Sequence, residues 1–385
     1  MTARRLPIMF AALVAVTTLG ACTSEPTSSP TPSKPPTVAP PGVTSLRPEG
    51  EPKVIASGLE APWSILRLGD GGGGSTLISE RDSGLIKELT ASNEVRVVGT
   101  VGGVAPGGEG GLLGLEALRE RDAEGDGDGD RHWIYAYLTT ASDNRIVRMP
   151  LLGEAGGYSL GPAQLILVGL AKAFNHDGGR IKFGPDGMLY ATVGDAGQPD
   201  RAQDPQSLNG KILRMKPNGA VPDDNPRAGS LAYSLGHRNP QGLAWDAGDR
   251  LWATEFGQNT WDELNRIQPG GNYGWPIVEG KGGKAGFIDP AFQWSTGEAS
   301  PSGLANVGGT LFMAALRGER LWAINPGTMA SPTPHLVGVL GRIRDVTAGP
   351  DGTLWLLTNN TDGRGTPHQG DDKLVQMTLG VVTEG

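Results

Sequence analysis

One short pattern recurs along this chain and restricts the folds that are open to it. A D-G or G-D turn is followed by an apolar run in three clear copies, and three looser copies share the same outline. The clear copies are "FGPDGMLYATVGD" (183–195), "AWDAGDRLWATEFG" (244–257) and "TAGPDGTLWLLTNN" (347–360), and the looser ones span 68–84, 128–140 and 307–324. Turns of this kind favour hairpins, and runs rich in Leu, Trp, Tyr, Val and Thr favour strands.

Six copies of the pattern imply units of roughly 40–60 residues, which is the size of a four-stranded propeller blade. Convincing helical periodicity is nearly absent. We therefore predict an all-β chain in which residues 51–385 form a single six-bladed β-propeller domain. In that fold, loops at one end of the strands converge on the mouth of a central channel. Functional residues should accordingly lie just before or after the repeated strands, far apart in sequence.

The glycine content and the charge balance narrow the function. The chain has 385 residues, among them 61 glycines and 30 prolines, and a formal net charge of −8. Because the glycines stand between apolar runs, they indicate many tight turns rather than a disordered chain. An acidic protein lacks the basic surface that nucleic acids require. Any anionic ligand must therefore be held by a local cluster of arginines.

Residues 1–21 have the pattern of an export signal. Arg4 and Arg5 precede an apolar stretch that is too short to remain as a membrane span. The stretch ends in "LGAC", which resembles a bacterial lipoprotein signal and implies that Cys22 is lipidated. An ordinary secretory signal with a chance cysteine is the alternative. Cys22 is the only cysteine of the sequence, so it leaves no intramolecular disulfide and no catalytic thiol.

The segment that follows the signal is a predicted tether. Residues 22–50 are dominated by Ser, Thr and Pro and show no apolar periodicity. This composition predicts an extended, semi-rigid spacer. Together with a lipid on Cys22, it predicts an extracytoplasmic domain that is attached to the cell membrane through its lipid alone.

Several common kinds of active site have no support in the sequence. The five histidines, at 132, 176, 237, 335 and 368, form no H-x-H or H-E-x-x-H pair, which argues against a histidine-based zinc site. There is no G-x-S-x-G motif, and no G-x-G-x-x-G motif stands between a strand and a helix. His237 is interpreted as a structural residue that forms hydrogen bonds within its loop.

Six motifs in a fixed order carry the strongest functional signal. They are "NHDGGRIKFGPDGMLYATVGDAG" (175–197), "LNGKILRM" (208–215), "YSLGHRNPQGLAWD" (233–246), "ATEFGQNTWDELNRIQPGGNYGWP" (253–276), "SPSGLA" with "LFMAALRGERLW" (300–322) and "GRIRDVTAGPDG" (341–352). In this order they resemble the soluble glucose and aldose sugar dehydrogenases that depend on pyrroloquinoline quinone. The resemblance extends from about residue 53 to about residue 378.

The resemblance implies three catalytic residues and a neighbouring residue that binds the cofactor. His176 matches the family's general base, and Asp195 matches the carboxylate that orients the base and stabilises its protonated form. Imidazole suits the removal of a proton from a sugar hydroxyl near neutral pH. Arg238 matches the cation that polarises the quinone carbonyl as negative charge develops. Asn239 matches a residue that forms a hydrogen bond to the cofactor.

The resemblance also implies how the three carboxylates of the quinone are bound. Arg342 and Arg344 match two cofactor-binding arginines, and their i, i+2 spacing on a strand lets both reach one ligand. Arg317 stands where the family often has lysine, so that cofactor affinity is expected to differ. Glu109 in "GGEGGLLGL" stands where better-known members have glutamine beside the base and the cofactor. A carboxylate there is expected to favour a protonated base or to shift the sugar preference.

Calcium is the second cofactor that the resemblance implies, in two places. Gly257 and Gln258 match positions whose backbone carbonyls hold the cofactor's calcium, which accepts many oxygen ligands flexibly. Glu263, through its carboxylate, and Tyr273, through its carbonyl, match a structural calcium site.

The expected reaction is therefore oxidation of an aldose at the anomeric carbon to the lactone. The partners are the sugar and an electron acceptor, either a membrane quinone or a cytochrome. Two alternatives remain open at this point. One is a propeller that serves as a non-enzymatic binding module, since a fold does not imply a function. The other is a calcium-dependent lactonase, which would need several acidic and amide side chains around one metal.

Overall fold

The computed structural model describes residues 45–69, 74–120 and 131–382. The predicted signal peptide with Cys22, and all but the end of the predicted tether, lie outside these residues. The first strand begins at Leu46, inside the segment assigned to the tether. None of the helices among the described residues has the length and apolar character to cross a membrane.

The described residues form six antiparallel sheets arranged as a β-propeller, which confirms the predicted fold. Within each sheet the strands follow one another from the channel strand outward. The first blade consists of β2 (Pro62–Arg67), β3 (Thr76–Glu80), β4 (Leu85–Leu89) and β5 (Val95–Thr100). The second blade consists of β6 (Leu112–Glu120), β7 (Arg131–Thr139), β8 (Asn144–Leu152) and β10 (Gln164–Leu170), with β9 (Ser159–Leu160) beside β8. The third blade consists of β11 (Ile181–Phe183), β12 (Leu189–Val193), β13 (Lys211–Met215) and β14 (Ala232–Leu235), and the fourth of β15 (Pro240–Trp245), β16 (Leu251–Glu255), β17 (Trp261–Ile267) and β18 (Phe292–Ser295). The last two are β19 (Pro301–Val307), β20 (Thr310–Ala315), β21 (Arg320–Ile324) and β22 (Thr333–His335); and β23 (Ile343–Ala348), β24 (Leu354–Thr358), β25 (Leu374–Val381) and β1 (Leu46–Ala56).

The repeated sequence pattern corresponds to one structural step in each blade. The turn joins the first strand to the second, and the apolar run after it is the second strand. In the first two blades that turn falls partly or wholly in residues 70–73 and 121–130, outside the described part of the chain. The second strands are almost entirely buried because neighbouring blades cover both of their faces. Burial on both faces explains why these runs are continuously apolar rather than alternating.

The core lies between the blades. Within the described residues, buried apolar side chains form six clusters, and each cluster lies mainly between one pair of neighbouring sheets. Between the last blade and the first, for example, Ile65 and Ile78 pack with Leu357 and Leu374. Such burial provides the main favourable contribution to folding.

The ring is closed by the two ends of the described chain. β1 pairs with β25 in antiparallel fashion, from Leu46 opposite Val381 to Ala56 opposite Leu374. The N-terminal strand therefore completes a sheet whose other strands come from the C-terminus. This pairing also covers a strand edge that would otherwise be open.

The connectivity gives the propeller a functional end. In every blade, the loop before the first strand and the hairpin between the second and third strands lie at the same end of the channel. We call this end the mouth. Residues at the start of a first strand or just after a second strand therefore come together there, although they are far apart in sequence.

A first prediction concerns the closing strand. Protein that begins at residue 45 retains β1, whereas protein that begins at residue 57 lacks it and leaves one edge of β25 unpaired. The shorter protein should unfold at a temperature lower by roughly 10 °C or more, because several strand hydrogen bonds and buried contacts are lost. Differential scanning calorimetry measures the difference. Equal melting temperatures for the two proteins would show that β1 does not stabilise the closed ring.

Candidate active site

His176 and Asp195 form a base and its orienting carboxylate at the mouth. His176 lies in the loop before β11, and Asp195 follows β12 in the same blade. Nδ1 of His176 is 2.7 Å from Oδ1 of Asp195. The other carboxylate oxygen, Oδ2, accepts a hydrogen bond of 2.8 Å from Nε1 of Trp275. With Nδ1 bonded to the carboxylate, the neutral imidazole presents the lone pair of Nε2, which has no hydrogen-bond partner among the described residues.

The backbone of His176 is held in an unusual conformation. Its φ of +64° lies in the left-handed region, which non-glycine residues seldom adopt and which implies local strain. The backbone N–H of His176 donates to Oε2 of Glu109 at 2.9 Å, and Nδ2 of Asn239 donates to the same oxygen at 3.0 Å. A Cβ atom on Gly194 would lie 1.9 Å from the carbonyl oxygen of His176, so only glycine fits there. These contacts fix the direction of the imidazole.

His237, the residue before Arg238, holds the loop that contains both residues in place through hydrogen bonds and ring stacking. Nδ1 of His237 is 2.8 Å from Oε2 of Glu255, and Nε2 is 2.8 Å from the hydroxyl of Ser234. The ring also stacks on Tyr273, with centroids 4.8 Å apart. Both ring nitrogens are thus engaged within the protein, as expected for a structural histidine. The other carboxylate oxygen of Glu255 accepts the backbone N–H of Arg238.

Arg238 places a partly buried cation near Asp195, the partner of His176. Nη1 donates to the carbonyl of Gly257 at 2.7 Å and to that of Phe256 at 3.2 Å. The guanidinium lies over the ring of Trp275, 5.4 Å from its centroid. The backbone carbonyl of Arg238 accepts the N–H of Asp195 at 2.8 Å. Burial lowers the pKa of Arg238, and the nearby carboxylates of Asp195 and Glu109 oppose that shift.

Arg342 and Arg344 form a second cationic group in the last blade. Nη2 of each is close to Oδ2 of Asp362, at 3.0 Å for Arg342 and 3.7 Å for Arg344. Two buried guanidiniums therefore share one carboxylate, and burial lowers the pKa of Arg344 to about 9. The Nε atoms of Arg238, Arg342 and Arg344 are buried and have no hydrogen-bond partner among the described residues. Such orphaned donors are costly unless a ligand satisfies them.

Two residues that support the second cationic group were not predicted from the sequence. Nη1 of Arg344 donates to Oε1 of Gln241 at 2.9 Å. The ring of Trp63 lies close to two guanidiniums, with its centroid 5.9 Å from the carbon of Arg344 and 4.3 Å from that of Arg180. Trp63 lies in none of the six motifs, and Gln241 lies in the motif at 233–246 but received no role from it. The contacts of both are recognised only once the blades are assembled.

Three further residues at the mouth were also missed. They are Asp362, which pairs with both arginines; Arg81, a buried arginine after β3; and Trp275, which donates to Asp195. Arg81 and Asp362 follow second strands, as Asp195 does, so the repeat itself could have identified them. Trp275 belongs to a long insertion between β17 and β18 and has no such signal.

The predicted structural calcium residues lie next to a small cavity in the fourth blade. Oε2 of Glu263 accepts a hydrogen bond of 3.0 Å from Asn265, and Oε1 accepts one of 2.8 Å from the backbone of Gly280. Burial and the nearby charge of Glu255 raise the pKa of Glu263 to about 8. The cavity of about 10 Å³ is lined by both glutamates and by Tyr273. That volume suits one water molecule or one small ion.

The other three predicted site residues are Gly257, Gln258 and Arg317. The Gly257 carbonyl accepts Nη1 of Arg238, and the backbone N–H of Gln258 donates to Glu279 at 2.8 Å. Arg317 lies in the β20–β21 hairpin at the mouth, but it is exposed, and no hydrogen bond or ion pair within the described residues involves it. The same residues contain no group of three or more His, Cys, Asp or Glu side chains that could hold a metal ion.

Comparison with known proteins identifies the family of the chain. The sequence profile of the family described as glucose / sorbosone dehydrogenase matches residues 59–367. The chain belongs to this family. A solved structure described as the pyrroloquinoline-quinone-bound form of an aldose sugar dehydrogenase from Streptomyces coelicolor is 48% identical, with a TM-score of 0.79, and the match covers 89% of this chain and 100% of that one.

Two named relatives are similar over part of their length. The aldose sugar dehydrogenase YliI of Escherichia coli is 36% identical over 49% of this chain and 58% of its own. The quinoprotein glucose dehydrogenase B of Acinetobacter calcoaceticus is 40% identical over 32% of this chain and 30% of its own. Membership of the family confirms the prediction of an enzyme of the sugar dehydrogenase class, an oxidoreductase.

A second prediction follows from the shared carboxylate. Asp362→Asn removes the only carboxylate within 4 Å of Arg342 and Arg344 among the described residues, and it leaves both charges buried. The free energy of unfolding should fall by roughly 3–5 kcal/mol, as measured by urea denaturation. The control Asp223→Asn, at an exposed pair with Lys216, should cause no measurable change. An equally small effect of Asp362→Asn would contradict the interpretation.

Proposed function

We propose that this protein oxidises an aldose at its anomeric carbon to the lactone, with pyrroloquinoline quinone as the resident cofactor. The observation that carries the proposal is a surplus of buried guanidinium charge beside a histidine whose Nε2 is free of partners among the described residues. Although the chain has a net charge of −8, it places several buried or half-buried arginines at one mouth. A polyanionic ligand would offset the cost of burying them.

The residues at the mouth fit the quinone. Its carboxylates would bind Arg342 and Arg344, whose Nε donors are unsatisfied, and Arg238 would contact the quinone carbonyl region. Asn239, which is fixed by Glu109 and by the backbone of Gly178, is the predicted hydrogen-bonding partner. When bound, the cofactor supplies an electrophilic carbonyl that accepts a hydride from the sugar. Exposed Arg317 is at the same end and would contribute through its charge.

The protein's own residues remove one proton from the sugar and hold the reacting groups in a fixed orientation. Nε2 of His176 takes the proton from the anomeric hydroxyl as the hydride leaves C1. The imidazolium that results is stabilised by Asp195, which also keeps the ring oriented. The fixed guanidinium of Arg238 stabilises negative charge where it develops. Trp275 holds Asp195 through its second carboxylate oxygen.

Glu109 is the residue that we propose to influence sugar preference. Oε2 is used by His176 and Asn239, whereas Oε1 is 3.5 Å from Nη1 of Arg364, an exposed residue on the rim. Oε1 can accept a hydrogen bond from a sugar hydroxyl, which a glutamine oxygen could also do. The carboxylate of Glu109 differs from a glutamine amide because its negative charge attracts the guanidinium of Arg364 on the rim of the mouth.

Calcium is proposed in the two places that the sequence predicts. Glu263 and Glu255 are buried side by side, and a divalent cation would supply the positive charge that this pair lacks. The carbonyl of Tyr273 would complete that site. The Gly257 and Gln258 carbonyls would contact the calcium that accompanies the quinone, since the carbonyl oxygen of Gly257 has a second lone pair besides the one that Arg238 uses.

The cellular setting is proposed from sequence alone. The lipoprotein-like signal, Cys22 and the tether support an extracytoplasmic protein anchored by lipid. A protein held near a membrane can pass electrons to a membrane quinone or to a cytochrome.

A third prediction tests the reaction. Protein supplied with pyrroloquinoline quinone and calcium should reduce a redox dye when an aldose is added. His176→Ala should lower kcat by roughly 10²- to 10⁴-fold, whereas quinone affinity should change little because the arginines are intact. His335→Ala, at an outer strand, is the matched control and should be as active as the unchanged protein. Full activity of His176→Ala would refute the assignment of the base.

A fourth prediction tests the structural calcium. Calcium should raise the melting temperature of the protein relative to protein treated with a chelator, because it binds only the folded state. Glu263→Gln should abolish most of that shift, and the control Glu319→Gln, on an exposed loop, should preserve it. A calcium shift of equal size in the Glu263→Gln protein would place the ion elsewhere.

A further inference from the structure

A groove lies at the end of the propeller opposite the mouth. It consists of two cavities of about 600 and 350 Å³ that share Arg250, Arg266 and Gln268 in their walls. The larger cavity lies where β11 and β15 end, whereas His176 and Arg238 precede the beginnings of those strands. The groove is therefore separate from the candidate active site. Its volume is in the range of small-molecule sites.

One wall of the larger cavity is aromatic. The rings of Tyr233 and Trp245 each meet Tyr190 edge to face, with centroids 5.2 and 5.1 Å apart. Tyr190 is buried, while Tyr233 and Trp245 are partly exposed. The hydroxyl of Tyr190 donates to Oδ2 of Asp186 at 3.0 Å, and Nε of Arg214 donates to the same oxygen at 2.9 Å. The aromatic wall is thus fixed before any ligand arrives.

The rim of the groove has both acceptors and donors. Asp249 supplies carboxylate oxygens, and Arg250, Arg266 and Gln268 supply N–H groups, all on exposed side chains. Arg250 is paired with Asp246, but no carboxylate among the described residues forms an ion pair with Arg266. A ligand that satisfies this rim must itself donate and accept hydrogen bonds.

These features favour a sugar chain over a peptide. Hydroxyl groups both donate and accept, so that they match a rim of mixed carboxylate, amide and guanidinium groups. A proline-rich peptide, the other ligand of aromatic grooves, offers mainly carbonyl acceptors and would leave the carboxylate of Asp249 unused. The apolar C–H face of a pyranose packs on an aromatic ring while its hydroxyls point to the edges. The second cavity extends the groove beyond one sugar residue.

We propose that this groove binds an oligosaccharide of neutral pyranoses, with Trp245 and Tyr233 against the sugar faces and Arg266 and Asp249 at the hydroxyls. Oligosaccharide binding in the groove keeps the enzyme close to a source of sugars. The groove itself takes no part in the reaction. The proposal rests on the proposed function only in that sugars are the enzyme's ligands. It requires neither the quinone nor His176.

The test is calorimetric titration of the full protein with glucose oligomers of one to five residues, in both α-1,4 and β-1,4 linkage. Affinity should increase with chain length for one linkage. Arg266→Ala should weaken that binding about tenfold, and Trp245→Ala should weaken it further. Arg266 is exposed and its loss should not affect folding; the control Lys53→Ala, on β1, should bind as the unchanged protein does. Oxidation of a monomeric aldose substrate by the quinone-loaded protein should proceed with unchanged kcat and KM in the Arg266→Ala variant.

Three results would overturn the proposal. One is the absence of saturable binding of any oligomer at millimolar concentration, and another is equal binding by the Arg266→Ala and unchanged proteins. The third is binding of a synthetic proline-rich peptide, lost in Trp245→Ala, in place of the sugars. If dye reduction fails while the oligomers bind as described, the proposed function fails and the groove assignment stands.

Discussion

The closed ring of six sheets is the constraint on which the rest of the structure depends. Each sheet buries its apolar faces against two neighbours, and β1 joins β25 to close the circle. Because all first strands begin at the mouth, closure brings together loops from blades that are far apart in the chain. Glu109 and Asp362, for example, come from distant parts of the sequence, and both lie at the mouth.

At the mouth, stability is balanced against ligand binding. Arg342 and Arg344 share Asp362, and several guanidinium donors have no acceptor among the described residues. A protein selected for stability alone would pair these groups or replace them with apolar residues. The same is true of His176, whose left-handed backbone is strained. We infer that both features serve an anionic ligand and a directed imidazole.

Much of the fold could be predicted from the sequence because each blade repeats a similar turn and a buried strand. The site was partly predictable for a related reason: His176, Asp195 and Arg238 lie at strand ends that meet at the mouth, and the motifs around them resemble a known family. Trp275 and Gln241 also lie within two of these motifs, but their contacts were not predictable. Trp275 reaches Asp195 through a 24-residue connection between β17 and β18, and Gln241 contacts Arg344 from two blades away. Pairings of this kind depend on how the ring closes. The start of β1 at Leu46 was missed because its polar sequence resembles the tether.

The central claim is that the buried arginines hold a quinone beside His176. It is tested most directly by a single turnover without oxygen, in which the absorption spectrum of the bound quinone is followed after one aldose is added. The spectrum should change to that of the reduced cofactor, with one sugar oxidised per protein, and deuterium at C1 of the sugar should slow the change several-fold. A bound quinone whose spectrum is unaffected by every aldose would contradict the claim.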